Sequence, residues 1–197
     1  MKDQWYGDNR DLVKWGALLR LAHEHRATRI LQVAYYRSCE WPELEVDGRR
    51  ERIPQAVLNH FRKIRRITKL VARARIEVLA DLFDDRAAYM PRVLEAVARR
   101  AAGGPSIIFL DPDTGLQPAH PTLKHVLETE LREIWGALLQ GDVLVLYQHQ
   151  TRRDGKPWIP GKLRQFEQAL GLSRGRAKVA RGAQFAKDVI LLYYPKA

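Results

Sequence analysis

Residues 106–116, with the sequence SIIFLDPDTGL, place a run of apolar residues directly before two carboxylates. Residues 107–110 do not alternate between polar and apolar, so we expect a strand that is covered on both faces, as in the middle of a parallel sheet. Ligands bind at the carboxyl ends of such strands. Asp111 and Asp113 are therefore the first candidates for a functional site.

Patterned segments elsewhere in the chain alternate between the two kinds of secondary structure. Residue periodicity and turn signals predict helices over residues 9–25, 54–70, 86–101, 122–139 and 161–171. Apolar runs predict strands over residues 29–37, 75–81, 106–111 and 142–149. Such alternation is typical of a parallel sheet flanked by helices. Residues 176–184 and 188–195 lie too close for an intervening helix and predict an antiparallel hairpin. We therefore expect an α/β protein with a three-layer, Rossmann-like sheet, mostly parallel, that ends in a hairpin.

The length of 197 residues is typical of a single domain, in which we expect a basic helical insertion at about 40–72. Cys39 is the only cysteine, which excludes an intrachain disulfide. The first residues are too charged for a secretory signal peptide. No stretch approaches the roughly 20 apolar residues that a membrane span needs. We expect a cytoplasmic protein that does not bind membranes, or a nucleoid-associated one if its partner is DNA.

The formal net charge of +11 is concentrated in two segments. Residues 49–75 contain ten Lys or Arg and one acidic residue, and residues 151–187 contain ten and two, so the rest of the chain is net negative. This asymmetry favours a polyanionic partner, either RNA or DNA. A solvated surface remains the simpler interpretation of each run taken alone.

Specific cations in both segments suit contact with phosphates. In the first segment they fall on one line of the predicted helix and its continuation: Arg62, Arg66, Lys69 and Arg73. In the second they belong to a turn-rich loop: Arg152, Arg153 and Lys156. Trp158 follows them, and an aromatic ring beside cations suits stacking with a base of a single strand. Trp158 is equally suited to anchor the loop on the body of the protein.

Three motifs carry a resemblance to a known family. GDNRDLVKW (residues 7–15) is similar to the early G-N-x-A-D-V-L-K-H segment of the J-type large-subunit ribosomal RNA adenine methyltransferases. RIEVLADLF (75–83) is similar to the strand end that this family writes R-V-x-x-x-D-x-F, and IIFLDPDTG (107–115) to its apolar strand that closes in D-P-P-Y. The predicted order of helix, sheet and terminal hairpin resembles the class I methyltransferase fold as a whole.

The resemblance implies S-adenosylmethionine as cofactor and a nucleic-acid substrate. It implies four cofactor-binding residues, which are Asp8, Lys14, Asp81 and Pro112. In the family, the residue at the position of Asp111 accepts a hydrogen bond from the target amine. The chain departs from the pattern at Asp113, which replaces the second proline, and after the first strand, where VAYYRS (33–38) contains no glycine-rich turn.

Two other functions follow from the same residues without the family. Asp111 and Asp113 could hold Mg²⁺ or Mn²⁺, which prefer oxygen ligands, with His149 as a third ligand or general base. That set would suit a metal-dependent nuclease or phosphohydrolase. Alternatively, Asp113 caps the turn with Thr114 and Gly115 instead of binding a metal. The other function is a nucleic-acid-binding module without catalysis, whose cleft has lost its cofactor. Sequence alone leaves the methyltransferase, the nuclease and the binding module open.

Overall fold

The computed structural model describes residues 2, 6–38, 43–54, 56–57, 64–70, 72–99, 104–150, 157–182 and 184–197. Its helices are α1 (Asn9–Glu24), α2 (Arg86–Ala98), α3 (Glu128–Ala137) and α4 (Ile159–Leu170). A 3-10 helix covers Ile64–Lys69. Its strands are β1 (Arg29–Val33), β2 (Leu44–Val46), β3 (Arg49–Glu51), β4 (Arg75–Leu79), β5 (Ser106–Leu110), β6 (Gly115–Leu116), β7 (His125–Val126), β8 (Val143–His149), β9 (Lys178–Ala180) and β10 (Val189–Pro195).

Six of the strands form the main sheet, in the order β4-β1-β5-β8-β10-β9. β4, β1, β5 and β8 are parallel, whereas β10 is antiparallel to both of its neighbours. Among the described strands, β4 and β9 form the two edges. The predicted fold is confirmed: a mostly parallel, Rossmann-like sheet that ends in an antiparallel hairpin.

The central strand β5 has both of its faces covered, as its apolar run predicts. Ile107 and Phe109 lie in a core cluster with residues of α1, whereas Ile108 and Leu110 lie in the cluster that contains residues of α2, α3 and α4. All five residues of the strand are buried. The molecule therefore has three layers, with helices on both faces of the sheet.

The order of strands reverses between β1 and β5, and this position determines where a ligand fits. The chain passes from β1 outward to β4 and then returns to β5 on the other side of β1. In doubly wound sheets the ligand crevice lies at such a switch point, outside the carboxyl ends of the strands. Asp111 follows β5 there, and its backbone N–H donates to the carbonyl of Val33 at 2.9 Å.

Helix α1 begins where its sequence predicts. Asp8 is its N-cap, and the carboxylate accepts hydrogen bonds from the backbone N–H groups of Arg10 and Asp11. These contacts satisfy two of the donors that every helix leaves free in its first turn. The start of α1 is thereby fixed beside the carboxyl ends of the strands.

Two predicted helices differ from the structure. In the described part of residues 54–70, Ile64–Lys69 forms a 3-10 helix. Residues three apart lie on one line in such a helix, so Ile64 and Ile67 are both buried while Arg66 and Lys69 are both exposed. The helix predicted over 122–139 begins only at Glu128, because His125–Val126 pairs with Gly115–Leu116 as a short parallel ladder.

The segment between β1 and β4 contains the β2-β3 hairpin and the 3-10 helix. It coincides with the predicted insertion at about 40–72, whose status as an insertion into a single domain stays a prediction. In the described residues, no helix combines the length and the apolar character that a bilayer span requires.

Candidate functional site

A cleft of about 370 Å³ lies outside the carboxyl ends of β5 and β8, beside the start of α1. Its lining brings together six residues that the sequence predicts as site residues: Asp8, Lys14, Asp111, Pro112, Asp113 and His149. It also contains six residues that the sequence does not predict as site residues: Lys2, Arg10, Arg37, Thr114, Lys124 and Tyr147. The volume falls within the range of small-molecule sites.

Asp111 lies at the base of the cleft with 0% of its surface exposed. Its Oδ1 lies 3.2 Å from Lys14 Nζ, and its Oδ2 accepts a hydrogen bond of 2.8 Å from the side-chain amide of Gln32. Burial raises the pKa of Asp111 above its usual value, and the charge of Lys14 opposes that rise. Both carboxylate oxygens of Asp111 therefore have donors from within the protein.

Lys14 connects α1 to the sheet through Asp111 and also pairs with Asp11 of its own helix. Its Nζ lies 2.8 Å from Asp11 Oδ1 in addition to the contact with Asp111, and it lies 4.7 Å from the centre of the Tyr147 ring. Burial lowers the pKa of Lys14, but the charges of Asp111 and Asp11 outweigh burial and raise the pKa above its usual value. Lys14 is therefore a buried, charged ammonium shared by two acids.

Asp113 does not lie beside the Lys14 cluster as a second free carboxylate. It forms an ion pair with Arg37, which belongs to the segment after β1. Burial raises the pKa of Asp113, but nearby positive charges, including that of Arg37, outweigh it and lower the pKa below its usual value. The pair joins the segments that follow β1 and β5 across the switch point.

A second ionic cluster is centred on Asp188 and includes two residues of the cleft lining, Arg10 and His149. Arg10 donates to Asp188 Oδ2 through Nη2 at 2.6 Å and through Nε at 3.1 Å. His149 Nε2 lies 3.1 Å from the same oxygen. Burial raises the pKa of Asp188, but the hydrogen bonds and charge of Arg10 outweigh it and lower the pKa. This cluster ties α1, β8 and the turn between β9 and β10 together.

Gln148 and Gly115 hold the acidic turn in place. The buried amide of Gln148 accepts from the backbone N–H of Leu116 at 2.8 Å and donates to the carbonyl of Thr114 at 3.0 Å. Gly115 has a φ of +116°, and a Cβ at this position would lie 2.4 Å from Gln148 Oε1. The close approach requires a residue without a side chain after Thr114.

The segment after β1 is where the resemblance implies a glycine-rich turn against the cofactor. Tyr35 in this segment has a φ of +44°, in the region that favours glycine. Its ring is buried, with centroid distances of 5.0 Å to Phe83 and 5.5 Å to Tyr89. The ring of Tyr35 therefore lies in the core, while Arg37 two residues later extends across the cleft to Asp113.

Asp81, the residue that the resemblance assigns to the adenine side of the cofactor, does not line the cleft. It lies 3.7 Å from Arg92 of α2. The pairing of β1 with β4 continues past the strand ends through Tyr36 and Leu82, next to Asp81. These residues do not fit S-adenosylmethionine in the way that the resemblance implies, although Asp8, Lys14 and Pro112 line the cleft.

The metal alternative depends on carboxylates that already have cationic partners. Asp111 is paired with Lys14 and Asp113 with Arg37. Within the part of the chain that the structure describes, no three His, Cys, Asp or Glu side chains are grouped so as to hold a metal ion. Mg²⁺ or Mn²⁺ at Asp111 and Asp113 would have to displace both cations.

The predicted nucleic-acid contacts are only partly described. Arg66, Lys69 and Arg73 are exposed. The remaining cations of that prediction lie outside the described residues: Arg62, Arg152, Arg153 and Lys156. Trp158 is half-buried and packs against the core cluster on the α2–α4 face of the sheet. The ring of Trp158 therefore serves to anchor the start of α4.

Several residues of the site have no counterpart in the sequence prediction. Gln32 gives the clearest signal in retrospect, because it is a polar side chain inside the otherwise apolar part of β1, and a buried polar residue is informative. Arg10, Arg37 and Asp188 lie in segments that the sequence analysis describes, but nothing in those segments marks the three side chains themselves. Their partners come from distant parts of the chain, as in the pair Arg10 and Asp188, which are 178 positions apart.

Comparison with known proteins gives a likeness in three dimensions only. No protein-family model matches the sequence, and no curated protein matches it. A DUF574 family protein from Streptomyces avermitilis MA-4680 is 11% identical, with 96% of this chain and 82% of that chain covered and a TM-score of 0.45. A “putative methyltransferase” from Thermobifida fusca YX is 14% identical, with 96% and 80% covered and a TM-score of 0.40.

Proposed function

We propose that this protein binds nucleic acid and that the cleft above Asp111 receives one nucleotide of the bound chain. The scaffold is methyltransferase-like, and the protein is a degenerate relative of the nucleic-acid methyltransferases that its motifs resemble. The charge of the cleft carries this proposal. Further support comes from three features: the position of the cleft at the switch point of the sheet, the basic segments, and the segment after β1.

The cleft has more positive than negative side chains. Five basic residues line it, which are Lys2, Arg10, Lys14, Arg37 and Lys124. Three carboxylates oppose them, those of Asp8, Asp111 and Asp113. Arg10 and Lys14 also pair with Asp188 and Asp11, which do not line the cleft, so Lys2 and Lys124 remain as the lining cations without an ion-pair partner among the described residues. Because a concave surface concentrates the field of its charges, these two lysines favour an anionic ligand. A phosphate group of a nucleotide meets that requirement.

Exposed basic side chains also lie at both edges of the described sheet. Arg66 and Lys69 are exposed on one line of the 3-10 helix beside the edge strand β4. On the opposite edge, Arg176, Lys178 and Arg181 are exposed in and around β9. A single nucleotide would need only the cleft, whereas cations at both edges suit a longer polyanion.

Methyl transfer is the reaction that the resemblance implies, and Asp111 would orient the target amine. In this chain Lys14 and Gln32 already donate to the oxygens of Asp111. The buried ring of Tyr35 and the position of Asp81 outside the cleft lining likewise depart from the cofactor site that the resemblance implies. We therefore assign binding to this protein and derive no reaction through a methyl donor.

The binding proposal is tested by fluorescence anisotropy with labelled 20-nucleotide single strands of RNA and of DNA. If about six cations meet phosphates, the plot of log affinity against log salt has a slope of about −4. Lys124→Gln weakens binding, whereas Arg92→Gln, which removes a charge on α2 at a distance from the cleft lining, leaves it unchanged. No binding, or binding that does not respond to salt, would overturn the proposal.

The choice between a binding protein and a methyltransferase is tested by isothermal titration calorimetry with S-adenosylmethionine. We expect no heat of binding at millimolar donor for the native chain. Saturable binding of S-adenosylmethionine by the native chain would show an intact cofactor site. That result would contradict the proposal that the protein is a degenerate relative and would support an active methyltransferase instead.

A further inference from the structure

We propose that Phe185, in the turn between β9 and β10, is a stacking platform for an unpaired base, so that the bound nucleic acid is single-stranded. This inference rests on the proposed function and specifies its substrate class. It assigns to Phe185 the role that the sequence suggests for Trp158.

Phe185 is exposed although aromatic residues of this region are otherwise covered. Its exposed fraction is 47%, whereas Trp158 is half-buried and Phe166 is 0% exposed. Between residues 157 and 187, Phe185 is the only aromatic residue in the described part of the chain whose ring is open to solvent. An exposed ring on an ordered turn presents a face on which a base can stack.

The turn that carries Phe185 is held from both sides. Asp188 binds Arg10 and His149, and the backbone N–H of Gln150 donates to the carbonyl of Asp188 at 2.7 Å. Ala186, next to Phe185, packs against the core cluster on the α1 face of the sheet. The ring therefore projects from a backbone that is fixed within one residue of its own position.

Gly182 shows how closely this turn approaches helix α1. A Cβ at Gly182 would lie 2.3 Å from the carbonyl oxygen of Phe185 and 2.9 Å from a methyl group of Val13. The backbone at Gly182 thus lies between the carbonyl group of Phe185 and the side chain of Val13 on α1. The carbonyl group of Phe185 packs closely against Gly182, which favours a preformed platform over one that must be ordered on binding.

Charge and position link Phe185 to the cleft. Lys178, Arg181 and Lys187 are exposed on the strand and turn around it, and cations beside an aromatic ring suit a phosphate backbone with a stacked base. Asp188, three residues after Phe185, binds two residues that line the cleft. A single strand that places one nucleotide in the cleft can therefore place a neighbouring base on Phe185.

The test compares a single strand with a duplex of the same length and sequence, by anisotropy, for the native chain and three variants. Stacking is worth about 1–3 kcal/mol per base, so Phe185→Ala should weaken single-strand binding about tenfold. The salt slope should not change, because no phosphate contact is removed. Phe185→Trp should retain the affinity, and duplex binding should be unaffected by either substitution.

Leu139→Ala is the matched control, because Leu139 is 55% exposed and lies next to α3, before the amino end of β8. It should bind as the native chain does. Equal affinities of Phe185→Ala and the native chain, or equal losses for duplex and single strand, would overturn the platform while salt-dependent binding still supports the proposed function. Absence of binding by the native chain to every probe would instead overturn the proposed function itself.

Discussion

Lys14 of α1 and Asp111 at the end of β5 form a buried ion pair, with 3.2 Å between Lys14 Nζ and Asp111 Oδ1. The two residues are 97 positions apart, and the pair joins the first helix to the central strand beneath the cleft. The side chains of Lys14 and Asp111 are both buried, so water could not take the place of a partner that is removed. The integrity of the cleft therefore depends on both charges.

Lys14→Met should leave Asp111 as a buried carboxylate with the neutral side-chain amide of Gln32 as its donor, which stabilises the negative charge less than the ammonium of Lys14 does. Breaking a buried pair from one side costs about 3–5 kcal/mol of the free energy of unfolding. The loss of stability should be small at low pH and should grow as the pH rises through the pKa of Asp111. The reason is that only the ionised carboxylate of Asp111 is stabilised by the charge of Lys14. Urea denaturation at pH 4 and pH 7 measures it.

The double variant Lys14→Met with Asp111→Asn serves as the control for that experiment. It removes both charges, so it should be more stable than Lys14→Met alone at pH 7. Equal stability of the two variants would show that the ion pair is not the reason for the loss.

Asp188→Asn should make the Tm of the protein less sensitive to a fall in pH. The pKa of Asp188 is lowered in the folded state, because the hydrogen bonds and charge of Arg10 outweigh burial. Its contribution is therefore present above the ordinary pKa of an aspartate and is lost as the pH falls through the lower, folded-state value. Thermal unfolding should show a lower Tm for the variant at pH 7 and a much smaller difference near pH 2.5. Asp81→Asn, at the more distant pair with Arg92, should change Tm little at either pH.

Gly115→Ala should destabilise the protein by about 2 kcal/mol or more, since it adds an overlap with Gln148 to an unfavourable φ. Gln148 cannot swing away freely because its amide is buried in hydrogen bonds. Gly136→Ala, on α3 with open space around it, should be neutral or stabilising by up to about 1 kcal/mol. Chemical denaturation measures the free energy of unfolding of both variants. Equal stabilities would contradict the close approach of Gly115 to Gln148.

Addition of Mn²⁺ should stabilise the native chain no more than it stabilises Asp113→Ala. Lys14 and Arg37 already compensate the two carboxylates that the nuclease alternative requires. Thermal shift at millimolar Mn²⁺ measures the difference. A shift that is present in the native chain and absent in Asp113→Ala would favour a metal site instead.

The parts of the fold that the sequence predicts are those in which a local pattern has a single structural solution. The unbroken apolar run of β5 has no exposed face, and Asp8 precedes a helical pattern as an N-cap does. The 3-10 helix is harder, because Ile64 and Ile67 are three positions apart, a spacing that an α-helix also buries. Helix α3 begins late because pairing with Gly115–Leu116, a distant contact, overrides local propensity.

In the candidate site, too, the sequence predicts what a local pattern determines and misses what depends on contacts between separated segments. Asp111 is predictable because its position is a property of the strand before it. The roles of Arg37 and Asp188 are not, because each depends on a partner that only the folded chain brings near. Asp113 shows the consequence: two acids in one motif predict a shared metal site, whereas Arg37 and Lys14 separate them into two ion pairs.

Among the described strands the sheet ends at β9 on the hairpin side, and an unpaired strand edge is a template on which another copy of the chain can add. Lys178 on β9, with Arg176 and Arg181 around it, places positive charge at this edge, so two copies repel each other where their β9 edges would meet. A bound polyanion neutralises that repulsion. Excess nucleic acid should therefore keep the copies dispersed, whereas near charge balance the protein becomes prone to edge-to-edge self-association and precipitation.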